Sequence, residues 1–513
     1  MLRTTVMVSL FAFLGQIIGV STHIAIAAFF GAGSEMDAFL AADTLVQYVT
    51  AVIVLSLGFV FIPVFAGYMS TGREHEAWKV ASGVLNLSVL LLGGLACIGI
   101  LFVESLLQHL MPGLPPDALA LASRVAIITW PAVVATGMVS LLTGMYQVLG
   151  HFGWPAAVPA IGAVVNLGTV LVLAPSLGVI GVAIGSVANI VIQVILLHRL
   201  LRIPGRYQFS LHWQHPGVRE VAHLLWPLLF SGLLIKCTSL IERYLASNLH
   251  EGSISHLAYA YRLIGAMALL LAQGITTIIF PKLSASVAQN NVESLKHTIS
   301  LGLRLMWLTV APVVTIGAVL ALPLVTVVYA RGQFTMIDAE NVADLVRVFL
   351  MALSAICLGN ITGRTIYALK ATRLLAIAGC IEAGAYVLYA FMLAHYFGLV
   401  GIAWSYVIYF NLSLAWQLVA IRSKTGNAGG KTVFVSLVRT GTAAGLAAAV
   451  SWFVMSMIGN PWAQLVCGGM FGLVVYVVVL FQFKSSEAWL IWRMAAAWLR
   501  PSGAESPRAI LLK

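Results

Sequence analysis

Charged residues are scarce in this sequence. Asp, Glu, Lys and Arg make up 9% of the 513 residues, whereas 61% are hydrophobic and the mean hydropathy is +0.99. Because about a quarter of the residues in a soluble globular domain are charged, this composition excludes a soluble fold. The chain is therefore predicted to be an all-α polytopic membrane protein.

Cysteine is also sparse, and its placement excludes further classes of protein. The five cysteines fall singly in separate apolar segments without a CxxC pair, which indicates neither a disulfide framework nor a metal site. The twelve histidines form no HExxH spacing, and the chain has no GxxxxGK[ST] phosphate loop. We expect no metal, no cofactor, no enzymatic activity and no direct use of ATP, so membrane potential or an ion gradient must supply energy.

Long apolar segments follow one another as far as residue 482. Each is about 20 residues or longer and can cross a ~30 Å hydrocarbon core as a helix. We predict fourteen transmembrane helices, at residues 5–30, 37–68, 77–106, 118–149, 154–174, 177–200, 220–248, 255–286, 294–328, 340–369, 373–396, 398–421, 434–458 and 461–482.

Basic residues mark one side of the predicted bundle. Most of the 28 Lys and Arg residues lie in alternate connecting segments and in the tail, whereas the opposite loops contain only Arg331. Because positively charged loops face the cytoplasm, both termini are predicted to be cytoplasmic. The net charge of +11 thus indicates orientation in the membrane rather than nucleic-acid binding.

The sequence repeats itself after about 220 residues. "GSEMDAFLAADTL" at 33–45 is matched by "GSISHLAYAYRL" at 252–263, and "LGVIGVA" at 177–183 by "FGLVGIA" at 397–403. Six helices per repeat make the halves parallel, related by a pseudo-two-fold axis along the membrane normal, with the transport site between them. The predicted domains are an N-terminal six-helix lobe with its linker (1–216), a C-terminal six-helix lobe (217–430), a helix pair (431–483) and a cytoplasmic amphipathic tail (484–513).

Several ionisable residues are predicted at membrane depth, where a charge is costly unless it faces water or an opposite charge. They are Asp43, Lys236, Glu242, Arg243, Arg262 and Glu382. Lys236 and Arg243 are seven positions apart and therefore share one helix face, and such a cationic wall indicates an anionic cargo. Arginines nearer the span ends, such as Arg304, are predicted to reach the lipid headgroups.

Two roles are predicted for these intramembrane charges. Asp43 and Arg262 occupy equivalent positions of the repeat, so we expect them to pair as an outer gate; the alternative is that each is satisfied within its own lobe. Glu242 and Glu382 are the candidates for binding sodium or relaying a proton, or they neutralise Arg243 and Lys236 instead.

Three segments carry a family resemblance: "FFGAGSEMDAFLAADTL" (29–45), "IERYLASNLHEGSISHLAYAYRL" (241–263) and "IIFPKLS" (278–284). The chain resembles, over essentially its whole length, the MurJ/MviN family of lipid II flippases in the multidrug/oligosaccharidyl-lipid/polysaccharide exporter superfamily. The resemblance implies fourteen helices in a bacterial cytoplasmic (inner) membrane. It also implies translocation of an undecaprenyl-pyrophosphate-linked saccharide to the outer leaflet by alternating access, with membrane lipids and cell-envelope synthesis enzymes as partners.

The resemblance also implies site residues. Asp37 matches the acidic residue after the first outer loop, Arg262 matches an arginine of helix 8, and Glu242 with Glu382 matches a sodium site. "GQIIGVSTH" at 15–23 has Gln16 where the family typically has an arginine. The predicted substrate-binding residues are Gln16, Asp37, Lys236, Arg243 and Arg262.

Three alternative functions stay open. The cargo of a related flippase would be an exopolysaccharide repeat unit. A multidrug exporter of the same superfamily normally has twelve helices and an acidic cavity, which the two extra helices and the cationic wall oppose. A non-transporting scaffold for envelope synthesis is opposed by the presence of Asp37 and Arg262. The last two predicted helices, at 434–458 and 461–482, are expected to supply a groove for the isoprenoid tail of the cargo.

Overall fold

The computed structural model describes residues 2–202, 207–289, 291–369, 371–426 and 430–489, and within these ranges it contains α-helices, one short 3-10 helix at His198–Arg202 and no strand. The helices are α1 (Leu2–Phe30), α2 (Ser34–Ser70), α3 (Glu74–Leu101), α4 (Val103–Leu110), α5 (Pro116–Thr129), α6 (Ala132–Val148), α7 (Gly153–Leu177), α8 (Val179–Leu197), α9 (Pro216–Ser247), α10 (Ser253–Ala288), α11 (Val292–Val319), α12 (Ala321–Tyr329), α13 (Met336–Ala368), α14 (Thr372–Thr425), α15 (Gly430–Ser456) and α16 (Pro461–Gln482). The predicted all-α membrane fold is confirmed.

Each of the fourteen predicted spans falls on a helix or on two consecutive helices. Twelve helical stretches of the described residues are long and apolar enough to cross a membrane, and one of them, Ile377–Thr425, covers two predicted spans. The span predicted at 118–149 is divided between α5 and α6 at Pro131, because proline lacks the backbone N–H that continues a helix. The count of fourteen crossings stays a prediction.

Equivalent glycines of the repeat adopt the same local structure. Gly178, between α7 and α8, has φ +61° and ψ −145°, and Gly398, which breaks α14, has φ +57° and ψ −132°. This left-handed conformation favours glycine because it has no Cβ. A Cβ on Gly401 would lie 2.0 Å from the carbonyl oxygen of Leu393, so the chain can reverse tightly at this point only with a glycine. The sequence repeat is therefore also a repeat of local geometry.

The chain separates into two compact units, residues 1–256 with 329–338 and residues 257–328 with 339–513. In the first unit, α1 packs against α7, and α2 packs against α5, α6 and α9. The hydroxyl of Tyr48 on α2 donates to the carbonyl oxygen of Leu233 on α9 at 2.8 Å, which fixes the helix that carries Lys236 and Arg243. The predicted domain boundaries at 216, 430 and 483 stay predictions.

The second unit has a core of small residues between α11, α15 and α16. Ala443, Ala447 and Ser451 lie one turn apart on α15 and are fully buried, and the hydroxyl of Ser451 donates to the carbonyl oxygen of Gly468 at 2.8 Å. Tyr476 of α16 donates to the carbonyl oxygen of Leu308 at 2.6 Å. Small residues and hydrogen bonds between helices are what hold helices together in lipid, where apolar burial adds little.

Candidate functional site

Loops at one end of the first unit are bound tightly to one another. We call residues 28–37, 248–256 and 331–338 the loop junction. Its centre is Asp37 in the first turn of α2, whose side chain is buried and accepts three hydrogen bonds: from the backbone nitrogens of Gly252 (2.7 Å) and Ser255 (2.8 Å) and from the Ser255 hydroxyl (2.5 Å). A carboxylate at a helix N-terminus satisfies donors that have no partner in the helix and complements the helix dipole.

The capping of helix ends in the junction is reciprocal. While Asp37 of α2 binds the first turn of α10, Glu251, two residues before α10, accepts a hydrogen bond from the backbone nitrogen of Ser34 at 2.9 Å, at the start of α2. Each helix of the repeat therefore receives a carboxylate from the equivalent end of the other repeat. The sequence resemblance between 33–45 and 252–263 gave a signal for this contact, but no contact was predicted from it.

A second acidic group extends the junction to α13. The side chain of His256, whose position in the repeat is equivalent to that of Asp37, lies with Nε2 2.9 Å from Oδ1 of Asp338. The other oxygen of Asp338 accepts hydrogen bonds from the backbone nitrogen of Thr335 (2.9 Å) and from its hydroxyl (2.8 Å). His256 is thus held between two helix starts, and neither His256 nor Asp338 was predicted from the sequence to be a site residue.

Glycines allow the loops of the junction to approach each other. Gly252 has φ +84°, and a Cβ there would lie 2.4 Å from the carbonyl oxygen of Ala32; Gly332 has φ +61°, and its Cβ would lie 2.1 Å from the carbonyl oxygen of Ala28. The backbone nitrogen of Gln333 donates to the same Ala28 oxygen at 2.9 Å. Any side chain at these two glycines would collide with backbone and require an unfavourable φ.

Arg243 and Glu242, two predicted site residues near the end of α9, lie next to the loop junction. Arg243 is half-buried and donates from Nη1 to the carbonyl oxygen of Ile254 at 2.7 Å, and its neighbour Glu242 is buried. Asp37 and Arg243 thus both bind the backbone of residues 252–255. The structure therefore brings Asp37 and Arg243 together around the start of α10, where both form hydrogen bonds with the protein's own backbone.

The remaining predicted charges lie elsewhere. Lys236 is exposed on α9 and Asp43 is half-buried on α2, both in the first unit, whereas Arg262 on α10 belongs to the second unit. Nη1 of Arg262 is buried and has no hydrogen-bond partner within the described ranges. Pairing between Asp43 and Arg262 stays a prediction.

Glu382, the second predicted coupling residue, lies in a polar cluster of the second unit. It is half-buried beside Ser413 and Trp416, and its Oε1 is buried without a hydrogen-bond partner in the described part of the chain. Gln417 donates to the hydroxyl of Ser413 at 3.1 Å and accepts a hydrogen bond from Thr362 at 2.6 Å. Glu242 belongs to the first unit, so a sodium site shared with Glu382 stays a prediction.

Gln16, the neutral residue predicted to bind substrate, lines a cavity of about 520 Å³ between α1, α6 and α7. In the second unit, a larger apolar groove of about 650 Å³ runs between α11 and α16, with Ile316, Leu320 and Leu473 among its lining residues. The groove for an isoprenoid tail was predicted on the last two helices, α15 and α16. In the structure, one wall of the apolar groove comes from α16 and the other from α11.

The prediction for Arg304 was wrong. Instead of reaching towards headgroups, its Nη1 donates to Oε1 of Glu487 at 2.7 Å; the Glu487 side chain is buried, and that of Arg304 is mostly buried. Glu487 also accepts hydrogen bonds from the hydroxyls of Ser436 (3.1 Å) and Ser485 (2.8 Å). Although burial raises the pKa of the Glu487 carboxyl, hydrogen bonds from its own backbone and from Ser485, together with the charge of Arg304, outweigh burial and lower that pKa below its usual value. The rest of the predicted amphipathic tail, from residue 490, lies outside the described residues.

Comparison with known proteins agrees with this architecture. The family model described as "Lipid II flippase MurJ" matches residues 26–469. The "Probable lipid II flippase MurJ" of Vibrio cholerae serotype O1 is 24% identical over 518 residues, covering 98% of this chain and 93% of that protein. A solved structure titled "Lipid II flippase MurJ, inward closed conformation" has a TM-score of 0.79 and 19% identity and covers 93% of this chain and 98% of the other. An inward-facing MATE transporter of the MOP superfamily has a TM-score of 0.69 and 16% identity, covering 80% and 95% of the two chains. Because the family model covers most of the sequence, this chain belongs to the lipid II flippase MurJ family.

Proposed function

We propose that this protein is a flippase that moves an undecaprenyl-pyrophosphate-linked saccharide, lipid II or a related cell-envelope precursor, from the inner to the outer leaflet of a bacterial cytoplasmic membrane. The observation that carries the proposal is the match of the lipid II flippase family model to residues 26–469. The relative from V. cholerae, which bears that name and aligns with nearly the whole chain, supports it. The match favours a flippase over a drug exporter or a scaffold.

The loop junction supports alternating access as the mechanism. Its hydrogen bonds connect the α1–α2 loop to the α9–α10 and α12–α13 loops, and with the termini in the cytoplasm these loops lie on the outer side. Release of cargo on that side requires the loops to separate. When the loops separate, the carboxylates of Asp37 and Glu251 lose their hydrogen bonds from backbone nitrogens and form hydrogen bonds with water instead. The net free-energy change for each such replacement is small. The junction therefore serves as a closed outer gate that can open.

Cationic side chains provide the recognition of pyrophosphate. Nη1 of Arg262 is a buried donor without a partner in the described residues, and Lys236 is exposed. A guanidinium or ammonium group binds phosphate oxygens through charge-assisted hydrogen bonds, and buried donors are normally paired. Arg262 and Lys236 are thus the two residues we assign to the anionic part of the cargo, whereas Asp37 and Arg243 hold the gate.

The apolar groove of the second unit suits the isoprenoid tail. Its volume of about 650 Å³ and its lining by aliphatic residues of α11 and α16 match a hydrocarbon chain that has to remain in an apolar environment while the headgroup crosses. Glu382 is our candidate for coupling transport to sodium or protons, because a buried carboxylate oxygen without a partner is a ready cation acceptor. Glu242 is the second candidate.

Complementation tests the proposed function in cells. Expression of this chain in a bacterium whose own lipid II flippase can be switched off should restore growth, and the Arg262→Gln variant should not. Arg422→Gln, a change of the same kind at an exposed position in the last turn of α14, serves as the control. If growth is not restored, and the purified protein also fails to bind undecaprenyl-pyrophosphate lipids that carry different sugars, the proposal is wrong.

Transport assays test the coupling ion separately. Glu382→Gln removes the charge but keeps the shape, so transport driven by a sodium or proton gradient should fall while binding of the cargo is retained. Transport that is unchanged in both Glu382→Gln and Glu242→Gln would rule out an obligatory coupling role for either carboxylate.

A further inference from the structure

The cavity lined by Gln16 lies wholly within the first unit. It is formed by the N-terminal half of α1, the last turns of α6 and the first turns of α7. Its volume of about 520 Å³ is within the range of small-molecule sites, roughly 300–1,000 Å³. The helix ends around it are those that the charge bias places on the cytoplasmic side.

The polar groups of this cavity are neutral. Gln16 of α1 and Thr143 and Gln147 of α6 line it, and no Asp, Glu, Lys, Arg or His is among its lining residues. None of these three side chains forms a hydrogen bond with another part of the described chain. Each amide offers two N–H donors and a carbonyl acceptor, and the threonine offers a hydroxyl. The cavity can therefore satisfy a ligand with many neutral donors and acceptors, but it offers no cation to a phosphate.

Apolar walls complete the cavity. Phe11 and Phe152 lie among its lining residues, and Phe152 is exposed. Aromatic rings have a negative face that attracts weakly positive C–H groups. Pro159 of α7 lacks the N–H that would bond to the carbonyl of Pro155, and Pro155 also lines the cavity. This carbonyl therefore lacks its usual donor within the helix.

The cavity is kept open by close packing of its helices. A Cβ on Gly15 of α1 would lie 3.4 Å from the Cα of Ala160 on α7, so the two backbones are in contact at one edge of the cavity. Small residues allow such an approach of helices in a membrane. The cavity lies beside this contact between α1 and α7, and the side chains around it do not fill it.

We propose that this cavity is a binding site for a neutral sugar ring of the lipid-linked saccharide, separate from the cationic residues assigned to its pyrophosphate; this rests on the proposed function. Amides that bind hydroxyl and acetamido groups, together with an aromatic ring that packs on the C–H face, match the chemistry of a pyranose. A hydrocarbon chain in the cavity would leave the polar groups of the two glutamines and the threonine without hydrogen-bond partners, which is unfavourable. Thr143, Gln147 and Phe152 thereby join Gln16 as recognition residues.

Binding measurements with paired probes test the site. The probes are farnesyl pyrophosphate alone and farnesyl pyrophosphate that carries N-acetylglucosamine, glucose or galactose, titrated onto the detergent-purified full chain. Wild type should bind at least one sugar-bearing probe more tightly than farnesyl pyrophosphate. Gln16→Met and Gln147→Met keep the side-chain length but remove the amide, so each should weaken that probe about 2- to 10-fold and leave farnesyl pyrophosphate unchanged. Gln108→Met, on the exposed face of α4, is the matched control.

A second variant tests the cavity by filling it. Ala156→Leu adds carbon atoms to a residue that lines the cavity, whereas Ala120→Leu makes the same change at an exposed position on α5, away from the cavity. Only Ala156→Leu should lower affinity for the sugar-bearing probe, with unfolding temperatures measured for both.

The outcomes separate this inference from the proposed function. Variants that weaken all probes equally, or none of them, would show that the cavity does not bind sugar while the flippase proposal stands. Equal affinity of the wild type for all probes would also show that the cavity does not bind sugar, and it would leave the flippase proposal standing. If the wild type binds no probe at all but restores growth in the complementation test, only the sugar site fails. If it binds no probe and growth is not restored either, the proposed function fails together with the sugar site.

Discussion

Ser255 donates two hydrogen bonds to one oxygen of Asp37, from its backbone nitrogen at 2.8 Å and from its hydroxyl at 2.5 Å, although the two residues are 218 positions apart in the chain. Asp37 stands in the first copy of the sequence repeat and Ser255 in the second. The contact therefore joins the equivalent ends of the two repeats, and we regard it as the centre of the outer gate.

Replacement of Asp37 by asparagine should weaken the junction. The amide places an NH₂ group against backbone donors of Gly252 and Ser255, so at least one buried hydrogen bond is lost, at a cost of about 2 kcal/mol. We expect a lower unfolding temperature in detergent and a loss of transport. Asp117→Asn, at an exposed position in the first turn of α5, makes the same chemical change. Similar behaviour of the two variants would contradict the gate assignment.

Replacement of Gly252 by alanine separates crowding from backbone strain. Gly252 and Gly72 both have positive φ, but only at Gly252 does a Cβ meet backbone, 2.4 Å from the carbonyl oxygen of Ala32; at Gly72 nothing lies within 4 Å. The left-handed conformation alone costs about 1–2 kcal/mol for alanine. Thermal unfolding should therefore show a clearly larger loss for Gly252→Ala than for Gly72→Ala. Equal losses would mean that the loops are not in close contact.

The helices were predictable because hydropathy and length determine them. Apolar runs long enough to span a bilayer became α1 to α16, and the repeat of "LGVIGVA" in "FGLVGIA" gave matching turns at Gly178 and Gly398. These features depend on neighbouring residues alone. The division at Pro131 was missed, although a proline after a tryptophan inside a long span was a usable signal.

The contacts between distant segments were not predictable in the same way. The repeat indicated that Asp43 and Arg262 are equivalent, but it did not show that Asp37 caps the start of α10. Arg304 was expected to reach the headgroups because it lies near a span end, and its partner Glu487 is 183 residues away. A charge in an apolar run shows that some partner is needed, and only the fold identifies which one.

Disruption of the Arg304–Glu487 pair should detach the start of the tail from α11. Arg304→Met leaves Glu487 buried without its cation, which typically costs 3–5 kcal/mol, and Glu487→Gln leaves the arginine unpaired. The double variant should be less destabilised than the sum of the two single variants. A double-mutant cycle of unfolding in detergent checks this, and additive effects would show that the pair contributes no coupling.

The same pair predicts a dependence of stability on pH. The pKa of Glu487 is lowered in the folded protein, so its contribution is complete above the pKa of an unfolded glutamate, about 4.3. It is lost as the pH falls through the lower, folded pKa. Between pH 5 and pH 3 the unfolding temperature of wild type should therefore fall more steeply than that of Glu487→Gln. Parallel curves for the two proteins would contradict the lowered pKa.

An exchange of charges tests the proposed pairing of Asp43 with Arg262. Each single change, Asp43→Arg or Arg262→Asp, places two like charges together if the residues meet, and transport should be lost. The double exchange should recover part of the transport, as measured with the purified, reconstituted protein. Failure of the double variant to recover any transport would favour satisfaction of each charge within its own unit.

Translocation in liposomes tests the central claim most directly. The purified chain is reconstituted with fluorescent lipid II, and a membrane-impermeant reagent measures the fraction of label in the outer leaflet over time, with and without a sodium gradient and a membrane potential. We predict exchange of lipid II between leaflets that depends on the protein, is abolished by Asp37→Asn and is retained in Asp117→Asn. Exchange no faster than in protein-free liposomes, for lipid II and for undecaprenyl-pyrophosphate lipids with other sugars, would contradict the account.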